Sequence, residues 1–460
     1  MDQMNPSKHW IPELQRKLPL SVVKVDEKSL HTHGGDAWHA HAMPEAVVEV
    51  RHEKDIQATM RIASKYKIPV TARGSGRGYV GSCVPVKGGI SLSLTKLNKI
   101  LEVSAKDSLA VVQPGVITER LQIEAKRKGL FYPPDPASLN ESSIGGNIAT
   151  NAGGPRCLKY GVTKNYVMGL NIVLPNGELV KTGGRCHKNK LGFNLVDLFP
   201  GSEGMLGIIS LATLRLIPHP PARSVLVASF SKVKAAAKAV TAIQQAGYLP
   251  CALEIADKFT LEAARGYNKS VPPGEALIIV ELDGQAQSVH REIRALKTVI
   301  QEIGALQTSI ASTEAACEKL WDIRRSFSYS LRATGLIKMN HDVVVPRGKL
   351  TELFKVVEKI QQSFSDYRVA SFGHAGDGNI HVNLMIDPSE EGRPRVRKAI
   401  DMLFASVLEL DGTITGEHGV GLARKPWWNV ATSRPLRSLH HTIKNALDPH
   451  HLLNPGKFLG

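Results

Sequence analysis

At 460 residues the chain is longer than a single hydrophobic core usually serves, so we expect two or more domains. Its 42% apolar and 22% charged residues are ordinary for a soluble globular protein, and no window offers the roughly 18 apolar residues of a membrane-spanning helix. The net charge of +16 comes from scattered basic residues without a Lys/Arg block. This disfavours a nucleic-acid partner and favours an anionic substrate, an acidic protein or loose contact with a membrane surface.

The N-terminal stretch "MDQMNPSKHWIPELQRKL" has no apolar region of signal-peptide length, so a cytoplasmic location is expected, with peripheral contact at the inner face of the membrane as an alternative. Five cysteines lie far apart and form no C-x-x-C pair. That spacing argues against an iron–sulfur cluster and against a zinc ribbon.

From Pro44 to about Ile217, short β-rich runs alternate with a few helices. "EAVVEV", the amphipathic helix "EKDIQATMRIASKYK" and "IPVTA" form a strand–helix–strand unit. A segment rich in Gly, Asn, Ser and Pro then runs from Tyr132 to Gly161, which predicts backbone that lines a ligand. Asn176-Gly177 predicts a hairpin turn.

The paired prolines of "HPPAR", residues 219–223, predict a domain boundary. Beyond them "VLVASF", a helix over "SKVKAAAKAVTAIQQAG", "ALEIAD" and "ALIIVELDG" repeat a strand–helix–strand order typical of an α+β domain. Long helices are predicted from about Gln287 to Ile303 and from Arg434 to Ala446, and the chain closes on "LNPGKFLG".

Two glycine-rich loops in the first half could cradle an anion. The first has Gly76, Gly78 and Gly81 spaced as G-x-G-x-x-G after a strand, but "SCVPVKGG" follows where a dinucleotide-binding fold needs a helix. A role as a simple turn remains open for this loop alone. The second, "YPPDPASLNESSIGGNIATNAGGPRCLKYG", adds open backbone and small hydroxyls, and two such loops suit a long phosphate-bearing ligand.

The segments "RGSGRGYVG", "PPDPAS", "SSIGGNIATNAGG", "YG" and "FPGSEGMLGIIS" occur in the order seen in flavoproteins of the vanillyl-alcohol oxidase (PCMH) type. From about residue 40 to 460 the chain resembles the branch of D-lactate dehydrogenase and the glycolate oxidase subunit. The resemblance implies an α+β fold, with a two-subdomain FAD-binding domain and an α+β cap domain built on an antiparallel sheet. We expect an N-terminal segment at 1–40, the FAD domain at 41–219, the cap at 220–420 and a returning C-terminal segment at 421–460.

The resemblance also implies which residues bind FAD. Relatives that tether FAD covalently carry a histidine in the first glycine loop, where this chain has Arg77, so non-covalent FAD is expected. The implied FAD contacts are Arg73, Gly74, Ser75, Gly76, Arg77, Gly78, Pro134, Asp135, Ser138, Ser142, Gly145, Gly146, Asn147, Ala152, Gly153, Gly154, Tyr160, Gly161, Glu203, Gly204, Gly207, Ile208, Ile209 and Asn454.

"FGHAGDGNIHVNL" holds two histidines around a turn, and "TGEHGVG" holds Glu417 and His418 between glycines. From the residues alone, hydrogen-bonded structural roles and a metal site both stay open, since two imidazoles and a carboxylate are the composition of a catalytic metal site. The resemblance implies metal ligands at His374, His381 and Glu417 and a proton-abstracting base at His418. The metal is expected to be Zn2+, with Mn2+, Fe2+ or Co2+ as alternatives.

A carboxylate substrate favours a guanidinium partner. The resemblance places Arg324 and Ser328 of "LWDIRRSFSYSLRATG" and Asn383 at substrate positions, although a solvated basic helix face remains an alternative for the arginines. Asn340 stands where the hydroxyglutarate branch has a lysine, with Lys338 two residues earlier. This departure favours D-lactate or glycolate over D-2-hydroxyglutarate.

These features predict an FAD-dependent D-2-hydroxyacid dehydrogenase, in which the metal acidifies the hydroxyl, His418 takes its proton and FAD takes a hydride. The expected electron acceptor is a quinone, a cytochrome, an electron-transferring flavoprotein or an iron–sulfur subunit, and a homodimer is considered. A flavin-free metallohydrolase and a non-catalytic flavin electron-transfer subunit are the alternatives.

Overall fold

A computed structural model describes residues 9–459, so residues 1–8 of the predicted N-terminal segment and Gly460 lie outside it. Within the described chain there are two compact units. The first comprises the residues through Gly153, then Val162–His219, then Glu417 onward, and the second comprises Gly154–Gly161 and Pro220–Gly416.

The elements follow in chain order. The strands are β1 Val23–Lys24, β2 Ala46–Glu49, β3 Val70–Arg73, β4 Ile90–Ser93, β5 Ile100–Ser104, β6 Leu109–Val112, β7 Leu130–Phe131, β8 Val167–Val173, β9 Leu179–Gly183, β10 Ile208–Arg215, β11 Ile217–Pro218, β12 Ala222–Phe230, β13 Ala252–Ala256, β14 Ala276–Gly284, β15 Gln307–Ala311, β16 Ile337–Val344, β17 Arg368–His374 and β18 Asn379–Ile386. The α-helices are α1 Trp10–Lys17, α2 Glu27–Thr32, α3 Glu53–Tyr66, α4 Thr118–Arg127, α5 Ile144–Thr150, α6 Cys157–Tyr160, α7 Val233–Gln245, α8 Lys258–Tyr267, α9 Ala286–Glu302, α10 Glu314–Arg332, α11 Leu350–Ser363, α12 Pro394–Glu409, α13 Lys425–Ala431 and α14 Arg434–Leu447.

The first unit contains two main sheets. One has the strand order β1-β2-β4-β3, with β4 parallel to both β2 and β3. The other is antiparallel, in the order β5-β6-β10-β8-β9. Trp10 and Leu14 of α1 are buried in the same apolar cluster as Ile56 and Met60 of α3, so the described N-terminal residues belong to the core of this unit.

Helix α3 illustrates why the predicted elements form. Its apolar side chains recur at helical spacing and are fully buried. At its start the Asp55 carboxylate accepts hydrogen bonds from the backbone N–H groups of Arg51 and His52, and at its end Lys67 adopts a left-handed conformation. The helix therefore has both an apolar face and capped ends.

The second unit contains a seven-stranded antiparallel sheet, in the order β15-β12-β14-β13-β17-β18-β16, with α6 to α12. A hairpin of β17 and β18 lies between β13 and the edge strand β16. Its turn brings the backbone close to neighbouring segments: a Cβ at Gly378 would lie 2.1 Å from the Val345 carbonyl oxygen, and φ there is +77°. Only glycine fits that turn without displacing the backbone.

Candidate active site

The β17–β18 hairpin places His374 and His381 on the same face of the sheet. His374 lies opposite Asn379, and His381 lies opposite Phe372. Directly opposed residues of an antiparallel pair point to the same side, and Asn379 and His381 are two residues apart on β18. The two histidines are therefore diagonal neighbours on one face. Their ring centroids are 5.3 Å apart and both side chains are buried.

Glu417 is the residue after Gly416, and the backbone leading to it is held by β16. Thr413 pairs with Val344, and the Gly416 N–H donates to Asp342 Oδ2 at 2.9 Å. One ligand atom from each of His374, His381 and Glu417 lies within 4.8 Å of the others. Two imidazole nitrogens and a carboxylate oxygen suit a divalent ion of the Zn2+ type, so these side chains fit the expected metal.

A buried carboxylate lies on the neighbouring strand opposite each of the two histidines. Glu254 of β13 lies opposite His374, and its Oε1 is 2.6 Å from His374 Nδ1. Asp342 of β16 lies opposite His381, but its Oδ1 is 3.7 Å from His381 Nδ1, beyond hydrogen-bond distance, and it accepts a hydrogen bond from the Asn379 amide at 2.7 Å. A carboxylate hydrogen-bonded to a histidine, as Glu254 is to His374, orients the ring and favours the tautomer that leaves the other nitrogen for a metal.

Glu254 also binds Arg324 of α10, whose Nε donates to Glu254 Oε2 at 2.5 Å. Burial opposes the charge on Glu254, but the facing His374 and Arg324 outweigh it and lower the pKa of this carboxyl to about 2. The Arg324 guanidinium lies 4.8 Å from the Phe372 ring centroid. Arg325, in contrast, is half exposed and pairs with Glu318 and Asp322, as expected of a solvated helix face.

The predicted substrate residues are not all equally available. Asn383 is 0% exposed, its amide donates to the carbonyls of Ala370 and His381, and its oxygen accepts from Asn340. These bonds hold three strands together. The predicted contact of Asn383 with the substrate stays a prediction.

The Lys338 side chain makes contacts that the sequence did not predict. Its Nζ donates to Ser328 Oγ at 2.7 Å and lies 5.4 Å from the Phe372 ring centroid. Burial, with the nearby charges of Arg332 and Arg324, lowers the pKa of Lys338 to about 7. Lys338 and Asn340 are two residues apart on β16, so their side chains lie on the same face of that strand.

His418 lies in the first unit, with its ring centroid 5.4 Å from that of Tyr79. The following residues are fixed by Glu203, whose carboxylate accepts the N–H groups of Val420 at 2.7 Å and Gly421 at 2.9 Å. Glu203 was expected to contact FAD, but its carboxylate is engaged in holding the segment that carries His418. Burial, only partly offset by these bonds, raises the pKa of Glu203.

The two glycine-rich loops approach each other within the first unit. A Cβ at Gly74 would lie 2.3 Å from Ser143 Oγ, so only a glycine leaves this approach open. Ser143 Oγ is buried and has no hydrogen-bond partner among residues 9–459, whereas the Ser142 and Asn147 side chains bind Thr118. An unsatisfied buried hydroxyl beside open glycine backbone fits a polar ligand such as FAD.

Most of the predicted FAD residues belong to the first unit. Gly154, Tyr160 and Gly161 belong to the second, and the Tyr160 hydroxyl donates to Asp283 at 2.7 Å. The Asn454 amide donates to the carbonyls of Ser82 and Glu203, which ties the C-terminal segment to the glycine loop. Roles for these side chains at the flavin stay predictions.

Sequence reasoning missed the contacts of Glu254, Asp342 and Lys338. Glu254 had a signal, because it is a charged residue inside the apolar strand "ALEIA". Ser143 lies in the second glycine-rich loop, whose small hydroxyls were expected to line the ligand. None of the helices in the described chain combines the length and apolarity needed to cross a membrane.

Comparisons with known proteins agree with this architecture. Residues 44–183 match the family described as "FAD binding domain", and residues 219–458 match "FAD linked oxidases, C-terminal domain". The chain is 38% identical over 419 residues to the glycolate oxidase subunit GlcD of Bacillus subtilis, covering 90% of this chain and 89% of that protein. It is 35% identical to a D-lactate dehydrogenase of Anaerostipes hadrus, covering 97% of each.

Among solved structures, p-cresol methylhydroxylase with substrate bound superposes with a TM-score of 0.79 at 18% identity. The match covers 98% of this chain and 96% of that one. This likeness confirms the predicted fold class, an α+β fold of the vanillyl-alcohol oxidase type.

Proposed function

The chain belongs to the FAD-linked oxidases, with glycolate oxidase subunits and D-lactate dehydrogenases among its relatives, and we propose that it is an FAD-dependent D-2-hydroxyacid dehydrogenase. The reaction converts a 2-hydroxy acid to the 2-oxo acid. The observation that carries the proposal is the grouping of His374, His381 and Glu417, with Arg324 tied to His374 through Glu254.

His374, His381 and Glu417 would hold a divalent cation, with Zn2+ favoured over Mn2+, Fe2+ or Co2+. When bound, the cation supplies a Lewis acid that lowers the pKa of the substrate hydroxyl, and FAD supplies the hydride acceptor. His418 takes the hydroxyl proton on a ring nitrogen, which a histidine can do near neutral pH.

Arg324 binds the substrate carboxylate. Its Nε is occupied by Glu254, and this is its only hydrogen bond among the described residues, so the two Nη groups remain to form a bidentate pair. The ion pair with Glu254 and the Phe372 ring fix the guanidinium in one orientation. Because the arginine is already held in one orientation, substrate binding does not carry the entropy cost of ordering the arginine side chain.

D-Lactate or glycolate is the favoured substrate, in keeping with the names of the two relatives. D-2-Hydroxyglutarate is the second candidate, because Lys338 beside Ser328 offers a second cation to a second carboxylate. The expected acceptor is external, a quinone, a cytochrome, an electron-transferring flavoprotein or an iron–sulfur subunit, since the five cysteines are separate free thiols. Peripheral membrane contact and a homodimer belong to the same proposal.

Anaerobic mixing with a panel of D- and L-hydroxy acids tests the proposal, with and without a chelator. We expect D-lactate, glycolate or D-2-hydroxyglutarate to bleach the flavin absorbance near 450 nm, and the chelator to prevent bleaching. If no hydroxy acid bleaches the flavin, the non-catalytic electron-transfer subunit becomes the better assignment. Bleaching that is insensitive to the chelator would remove the metal from the mechanism.

A further inference from the structure

The Glu254 carboxylate is a side chain that the proposed chemistry does not itself require, yet it touches both halves of the site. It is 1% exposed and lies in the centre of β13. One oxygen faces His374 Nδ1 at 2.6 Å, and the other accepts from Arg324 Nε at 2.5 Å. A single buried carboxylate thus joins a proposed metal ligand to the proposed substrate arginine.

We infer that Glu254 is the positioning residue of this site, and that it orients the metal-binding histidine and the carboxylate-binding arginine at the same time. The inference rests on the proposed function. Since an ionised carboxylate only accepts hydrogen bonds, the proton of the His374 ring sits on Nδ1 and Nε2 is the nitrogen directed to a metal. The same carboxylate holds Arg324 by Nε, so the Nη edge is directed away from it.

The register of the strands and the packing of α10 support this assignment. Glu254 and His374 are directly opposed residues on neighbouring strands, so their side chains share one face of the sheet. On α10, Arg324 lies between the buried Trp321 and Phe327, on the face turned to the apolar cluster of that sheet. The arrangement is therefore set by the sheet register and the helix packing, which are rigid features of the unit.

Glu281 provides a matched control. It is also 1% exposed, lies on the adjacent strand β14, and pairs with Arg223 at 3.1 Å as Glu254 pairs with Arg324. Its carboxylate also contacts Trp321, Arg156 and Cys251, and within residues 9–459 none of its hydrogen bonds or ion pairs is to a histidine. Glu281→Gln therefore disturbs a buried Glu–Arg pair of the same kind without touching the metal ligands.

The experiment uses the full-length FAD-loaded chain as wild type, Glu254→Gln, Glu254→Asp and Glu281→Gln. Each is stripped with a chelator, and its Zn2+ affinity is measured by competition against a chromophoric chelator, with urea unfolding recorded in parallel. We expect Glu254→Gln to weaken Zn2+ binding about 10- to 100-fold, the usual effect of losing a carboxylate behind a histidine ligand. Glu254→Asp keeps the charge and should recover part of that affinity, whereas Glu281→Gln should lose stability and keep wild-type affinity.

The substrate half is read from KM at saturating Zn2+. We expect KM for the hydroxy acid to stay raised in Glu254→Gln, because saturating metal does not restore the orientation of Arg324. If Glu254→Gln had the same KM as the wild type at saturating Zn2+, the proposed role of Glu254 in orienting Arg324 would be overturned. Equal Zn2+ affinity in wild type and Glu254→Gln, or an equal loss in Glu281→Gln, would overturn the link to His374. A wild-type chain that binds no divalent ion would instead defeat the proposed metal site and this role with it.

Discussion

At the scale of single residues, the site depends on a few buried polar side chains that face one another on one side of a sheet. Glu254 is directly opposed to His374 and Asp342 to His381, and Lys338 is four residues from Asp342 along β16, so all five side chains share that face. Polar groups in such a place are costly unless they are paired. Substitutions of these side chains and of His418 should therefore affect metal binding, flavin reduction and stability in different ways.

His418 and His374 are expected to fail in different ways. His418→Ala should keep FAD and metal but lose flavin reduction about 10²-fold or more, because it removes only the proton acceptor. His374→Ala should instead lose the metal, because it removes one of the three proposed ligands. Metal content per chain and anaerobic flavin reduction, measured on the same preparations, separate the two. Equal metal loss in both variants would contradict this division of roles.

Lys338 should give the protein a pH-dependent stability. Its pKa is lowered to about 7 in the folded protein, by burial first and then by Arg332 and Arg324, whereas in the unfolded chain it is near the ordinary value of about 10.4. The unfolded chain therefore holds this proton between those pH values, and the contribution of Lys338 to stability rises with pH across that window. Below pH 7 the charged side chain opposes folding by a constant amount.

Lys338→Met should accordingly raise the unfolding midpoint at pH 6, and the gain should shrink towards pH 10. Urea unfolding of both proteins across this range, without substrate, measures the difference. Lys338→Arg is the control: an arginine keeps its charge throughout, so the stability gain of Lys338→Met measured against Lys338→Arg should stay constant with pH. A gain that is constant with pH would mean that Lys338 is not the titrating group.

At the scale of elements, the segment after His418 is fixed by backbone contacts rather than by regular secondary structure. Gly419 has φ +82°, and a Cβ there would lie 2.7 Å from Glu203 Oε1, which already accepts the Val420 N–H. An alanine would have to displace that carboxylate in addition to adopting a left-handed conformation. The position of His418 thus depends on a glycine and a buried glutamate.

Gly419→Ala should therefore reduce flavin reduction strongly while most of the protein stays folded. Gly392→Ala is a matched control, because φ there is +77° but no atom lies within 4 Å of the added Cβ. Both variants should lose about 1–2 kcal/mol of stability from the left-handed conformation, and only Gly419→Ala should lose activity. Stopped-flow flavin reduction and urea unfolding of the two variants check this, and full activity in Gly419→Ala would show that Glu203 does not position His418.

At the scale of the whole molecule, the elements that form the proposed FAD cradle come from distant parts of the chain. Gly74 approaches Ser143, and the Asn454 amide binds Ser82 and Glu203. A ligand that binds only where these segments are assembled stabilises the folded protein.

FAD should raise the unfolding temperature of the apoprotein, by an amount equivalent to about 2.7 kcal/mol when FAD is present at 100 times its Kd. Because Arg77 replaces the tethering histidine, acid denaturation should release all flavin into the filtrate. Calorimetry of apo and FAD-loaded protein, and absorbance near 450 nm of filtrate and pellet, measure both effects. Flavin retained on the denatured chain would contradict non-covalent binding.

The sequence by itself determined the local features: the periodicity of α3, the glycine loops, the turn between His374 and His381, and the order of motifs that identifies the family. These depend on neighbours along the chain, so a pattern is enough to predict them. The confirmed α+β class and FAD-linked family follow from them. The metal, the substrate residues and the base remain predictions with a consistent geometry.

Only the tertiary structure decided which polar groups meet. Glu254 is 120 residues from His374 and 70 from Arg324, and the sheet register and the packing of α10 bring them together. The same packing turns Arg324 inward, leaves Arg325 in solvent and brings Lys338 to Ser328. Such contacts are set by the burial of apolar surface over the whole unit, which no local spacing in the sequence records.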